Sequence, residues 1–137
     1  MSFADKAAEL MANGCNCAQS VFCAFAPEFG IDFETAKKIS CGLGGGVGQC
    51  REVCGTVTAA ALVMGLKYGS DKMEVYPKVK ELVDAFKAEC GSVVCRELLA
   101  GVKVQTPTGE EILKKRPCPQ MVRLVADLLE ARLFPKA

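Results

Sequence analysis

The chain has 137 residues, half of them apolar, and its 17 lysines and arginines nearly balance 16 aspartates and glutamates. One domain is expected at this length, with enough interior to bury a core without help from disulfides. Near-neutral charge, two tyrosines and no tryptophan exclude the basic, aromatic surface of a nucleic-acid binder. The longest wholly apolar run, Ala59 to Leu66, falls short of the ~20 residues that cross a bilayer. The opening MSFADKAAEL lacks the basic and apolar regions of a secretory signal. A cytoplasmic protein without a membrane partner is therefore expected.

Nine cysteines accompany a complete absence of histidine. That absence excludes mixed Cys/His zinc sites, His-ligated haem, Rieske centres and histidine-dependent nucleophilic catalysis. An odd cysteine count also argues against a fully paired framework. In a reducing compartment such a surplus points to metal binding or redox chemistry.

In chain order, Ala4, Ala7, Ala8 and Met11 recur at helical spacing, and Asn13-Gly14 supplies a stop, which predicts a helix over about 3–12. Asn16 is an N-cap for a second helix carrying Ala18, Val21, Phe22 and Phe25, which Pro27 and Gly30 end. Asp32 caps a third, reaching about Cys41, where glycines 42, 44, 45, 46 and 48 break it. The fourth, about 54–67, is apolar on every side and is expected to be the central rod. Val79, Leu82, Val83, Phe86 and Cys90 stripe a fifth helix that Gly91 closes. Ser92 caps a short helix over about 94–99. Gly101 to Arg116 is read as the most loop-like segment, with a turn or two of helix at 110–115 and at most a stray bridge at Val93-Val94 or Val102–Val104. Pro117 opens a last helix, with Met121, Leu124, Val125, Leu128 and Leu129 inward, ending before Pro135. The expected fold is an all-α, single-domain bundle of about five to seven helices, residues 1–137 forming one cysteine-rich domain.

Cys17, Cys54, Cys95 and Cys118 each fall in or beside the first turn of a predicted helix. A helix start offers unpaired N–H groups and a partial positive charge, so all four are candidate thiolates and candidate cofactor or metal ligands. Chance placement of ordinary core cysteines is the competing account. Cys23, Cys41 and Cys90 are read as packing. Cys15 and Cys50 stand two and four residues ahead of Cys17 and Cys54, close enough to be extra ligands or resolving thiols, with spare proximity the favoured account. The spacings match neither a ferredoxin run nor paired zinc knuckles, and no thioredoxin-type C-x-x-C is present. The glycine segment has neither G-x-G-x-x-G nor G-K-[ST], so its expected role is a compact turn beside Cys54. Arg51 and Glu52 are charged neighbours that could tune a thiol pKa, with a solvated pair the favoured expectation.

Asn16-Cys17-Ala18-Gln19-Ser20, Gly44-Gly45-Gly46, Glu52-Val53-Cys54-Gly55, Gly65-Leu66-Lys67-Tyr68-Gly69 and the single cysteines 95 and 118 resemble the redox-active family named for its C, C-G-A-x-x-G, C, C pattern. The resemblance covers nearly the whole chain and selects the same four cysteines. It implies a small protein suspected of carrying an iron–sulfur or other redox group, encoded beside transporters or oxidoreductases, with a related module in split-Soret cytochromes. Two positions depart from the pattern: Thr56 replaces its alanine and Ala59 its last glycine. A methyl at 59 is expected to narrow the space the glycine leaves, and the Thr56 hydroxyl to bond sulfur or its own backbone.

The leading expectation is an electron-transfer protein in which Cys17, Cys54, Cys95 and Cys118 hold an iron–sulfur cluster. A dithiol/disulfide enzyme or sensor and a structural four-cysteine zinc module are the alternatives. A redox protein or oxidoreductase is the expected partner. A homodimer is compatible with the sequence, and no catalytic residue is assigned.

Overall fold

The computed structural model describes residues 1–100, 102–106, 109–113 and 118–135. Among them lie seven α-helices: α1 (Phe3–Ala12), α2 (Cys17–Phe25), α3 (Phe33–Cys41), α4 (Gly55–Tyr68), α5 (Lys72–Cys90), α6 (Cys95–Ala100) and α7 (Cys118–Leu133). A 3-10 turn over Ala26–Phe29 follows α2, and two strands, β1 (Val102–Thr106) and β2 (Gly109–Leu113), precede α7. The fold is all-α, as the sequence predicts.

Local chemistry sets the helix starts. Ser2 accepts from the Asp5 amide, Asp32 from Thr35 and Asp71 from Met73. Asn16 and Gln19 form a reciprocal capping box at α2. Gly91 ends α5 in the left-handed conformation.

The innermost rod is α2 rather than α4. Eight of the nine residues of α2 are buried, and it packs against α1, α3, α4 and α7. Half of α4 is buried, and Leu66 is 38% exposed. The reason is size and satisfaction together. Short side chains at Ala18, Ser20, Cys23 and Ala24 let neighbours close in, while the two polar groups are bonded at once. Ser20 donates to the Asn16 carbonyl at 2.7 Å and the Gln19 amide to that of Lys37 at 3.2 Å.

Where a loop and helical turns were expected over 101–116, 102–106 and 109–113 instead pair as an antiparallel hairpin, in the register Val102↔Leu113 to Thr106↔Gly109. Alternation at Val102, Val104 and Thr106 has period 2, the side-chain spacing of a strand. The parts of those expectations at Gly101 and 114–116, and the helix opening at Pro117, lie outside the described residues. The stray bridge expected at Val93-Val94 is present, pairing Val94 with Val53.

The termini are joined by an aromatic stack. The Phe3 and Phe25 rings lie 4.3 Å apart and nearly parallel, and Phe134 sits 5.3 Å from Phe3. Glu130 of α7 accepts from the Phe3 amide at 3.2 Å. The Asp5–Arg123 ion pair on the same seam is exposed and adds little. Phe25 is fully buried. Phe25→Ala is therefore expected to cost about 3–5 kcal/mol, read as a lower denaturant midpoint at unchanged slope.

Candidate functional site

The site begins in the backbone between α3 and α4. Gly45, Gly46, Val47, Gly48 and Gln49 all have positive φ, between 53° and 72°, and Arg51 has φ 60°. This is a left-handed turn. Three of its members carry a Cβ, each at roughly 1–2 kcal/mol of steric cost. Backbone bonds hold it closed: Gly48 donates to the Gly42 carbonyl at 2.8 Å, Arg51 to Gly45 at 3.0 Å and Glu52 to Gly46 at 3.0 Å.

Three glycines then let the neighbouring segments approach. A Cβ on Gly44 would lie 2.5 Å from Asn16 Nδ2, one on Gly46 2.8 Å from Cys95 Cβ, and one on Gly55 2.7 Å from Cys17 Sγ. Only hydrogen fits at these contacts. Downstream, a short antiparallel stitch fastens α4 to α6: Cys54 donates to the Val93 carbonyl at 2.7 Å, Cys95 to that of Glu52, and Arg96 to that of Arg51 at 3.3 Å. The thiols of α2, α4 and α6 are thus set by backbone geometry.

Cys17, Cys95 and Cys118 are the first residues of α2, α6 and α7, and Cys54 is the N-cap of α4. All four line one cavity of about 230 Å³, together with Met11, Arg51, Gly55, Leu98 and Met121 among others. Cys54 and Cys95 are buried, Cys17 and Cys118 half-buried. All nine cysteines are free thiols. Among the described residues no group of three or more Cys, Asp or Glu is disposed to hold a metal ion. The four sulfurs surround a space rather than a point.

The remaining thiols separate from this set. Cys15 is buried beside Cys23, Cys50 is exposed on the loop, and neither lines the cavity. Cys23 and Cys90 pack in the core as expected. Cys41, expected to pack, is exposed at the end of α3. Ala59 is fully buried and does not line the cavity, so its methyl fills core rather than site.

Helix starts favour thiolates, but burial overrides that preference at Cys54 and Cys118. It pushes Cys54 up to about 11 against the opposing hydrogen bonds from Thr56. Burial likewise raises Cys118, and the nearby Cys17 and Cys95 thiols add to it. Two side chains answer the sulfurs directly. Arg51 Nη1 lies 3.7 Å from Cys95 Sγ, and Thr56 Oγ1 3.0 Å from Cys54 Sγ. The expected Arg51–Glu52 pair does not form, because Arg51 turns to sulfur while Glu52 pairs with Arg96. The sequence marks Arg51 as a charged neighbour able to tune a thiol, but its turn toward Cys95 follows from a left-handed φ that the residue type does not advertise.

Neither a curated protein nor a solved structure matches the chain. A family model matches residues 15–132, a span holding all four cavity cysteines. The chain belongs to the family described as "Putative redox-active protein (C_GCAxxG_C_C)".

Proposed function

We propose that the protein is an electron carrier in which Cys17, Cys54, Cys95 and Cys118 hold an iron–sulfur cluster. One observation carries this reading: four thiols from remote parts of the chain, each at a helix start, line a single cavity. Amide groups at those starts are suited to hydrogen-bond sulfur and to balance negative charge. The absent Cβ at Gly55 keeps Cys17 Sγ clear on one side. A donor set of four thiols without histidine has the chemistry that iron–sulfur clusters take. A bound cluster would supply a one-electron couple.

The protein's own groups do the rest. Met11, Leu98 and Met121 present apolar surface to the cavity beside the sulfurs. Arg51 offers a positive charge beside Cys95. The zinc reading is weaker, because the thiols are not disposed around one ion. A redox protein that docks near the cavity and a reducing compartment such as the cytoplasm complete the proposal.

Anaerobically purified protein is expected to be coloured and to contain iron and acid-labile sulfide. Colourless protein free of both would overturn the cluster. A reversible disulfide among the four thiols under controlled redox poise would then select the dithiol reading.

Gly55→Ala is expected to lose most of its iron and sulfide while circular dichroism stays helical, because the new methyl occupies the space beside Cys17 Sγ. Full loading of the variant would count against the site.

Ligation must expel protons that burial holds on Cys54 and Cys118. Loading is expected to release protons, seen by calorimetry in buffers of different ionisation enthalpy, and to weaken as pH falls. The metal-free protein should behave in the opposite sense. Folded Cys54 holds its proton more tightly than the unfolded chain does, so this stabilisation is full below the ordinary value of 9.0 and is lost as pH rises through about 11. Denaturant midpoints of the reduced, metal-free protein measured across that window check the sign.

A further inference from the structure

Two threonines two residues apart at the start of α4 use their hydroxyls differently. Thr58 Oγ1 donates to the Gly55 carbonyl at 3.1 Å, the ordinary backbone use of a helical threonine. Thr56 is fully buried, and its hydroxyl lies 3.0 Å from Cys54 Sγ.

We propose that Thr56 is a positioning residue that hydrogen-bonds the Cys54 sulfur and raises the reduction potential of the site above that of the same site without the hydroxyl. The reasoning starts from the hydroxyl, which both donates and accepts. When Cys54 is a thiol, either atom supplies the proton of the contact. When the sulfur is ligated it has no proton, and Thr56 alone can donate. The bond therefore survives loading, and no buried polar group is stranded in either state. In the ligated state the donor draws electron density from sulfur and favours the form with one more negative charge. No proton is transferred, because the hydroxyl keeps its own while the electron arrives from an external one-electron donor.

Cys54 is the sulfur on which such a donor counts most. It is 4% exposed, so water does not compete for it. The stitch between residues 51–54 and 93–96 fixes its backbone on the cavity wall. Thr56 follows it at the second residue of α4, so the two side chains are held in register by one helical turn.

The potential readout rests on the cluster reading above, and the test separates the two. Full-length wild type, Thr56→Val and Thr56→Ser are compared. Valine keeps the shape and removes the hydroxyl, and serine restores it. Iron and sulfide analysis after anaerobic reconstitution decides the cluster. With the cluster present in all three, Thr56→Val is expected to show a lower midpoint potential. The equilibrium constant for one-electron reduction should fall by up to about tenfold, with Thr56→Ser near wild type. Equal potentials in wild type and Thr56→Val overturn the role of Thr56 and leave the cluster standing. If wild type takes up no iron or sulfide, the cluster reading fails by itself. Thr56 is then judged on the S–H stretching band of Cys54 in the reduced, metal-free protein, assigned by its loss in Cys54→Ala. A band displaced in Thr56→Val and restored in Thr56→Ser supports the hydrogen bond. A band unmoved in Thr56→Val overturns it.

Discussion

The close approach of α2 and α4 at Cys17 and Gly55 is the constraint on which the site depends. A side chain at residue 55 would meet sulfur at 2.7 Å and the Leu43 carbonyl at 2.9 Å. Real Cβ atoms do not tolerate such distances, so the two helix starts come together only because one of them has no side chain. Gly46 repeats the device against Cys95, and Gly44 against the Asn16 cap. The glycine-rich stretch is therefore a set of contact surfaces. Its left-handed turn orients those surfaces, and its ladder of backbone bonds offsets the strain at Val47, Gln49 and Arg51.

From that packing follows an electrostatic tension. Helix starts favour negative charge, while burial and neighbouring thiols oppose it, and for Cys54 and Cys118 the opposition prevails in the metal-free protein. On the reading proposed here, a bound cluster resolves the tension by replacing thiol protons with metal. Arg51 and Thr56 then act on two of the four sulfurs, Cys95 and Cys54, which the stitch between 51–54 and 93–96 already holds side by side. On that reading ligation would be tied to folding, because the four thiols come from four different helix starts.

The remainder of the bundle supports this end of the molecule from a distance. The α2 rod carries Cys17 at its start and Phe25 at its end, so the aromatic stack of Phe3, Phe25 and Phe134 anchors the same helix whose first residue faces the cavity. The seam between α1 and α7 is closed there, and α7 in turn presents Cys118.

Much of this was legible in the residues. Capping side chains at Asn16 and Asp32 and apolar spacing at 3.6 residues depend on near neighbours, so the helices and the four cysteines at their starts could be read directly. Period-2 alternation over 102–106 was equally local, but was masked by surrounding turn residues. What only the tertiary structure decided was which surfaces meet. The burial of α2 over α4, the turn of Arg51 away from Glu52, and the gathering of four thiols around one cavity depend on contacts between segments dozens of residues apart. Sequence fixes what each residue prefers nearby, whereas long-range packing chooses among those preferences by excluding overlap and leaving few polar atoms unpaired.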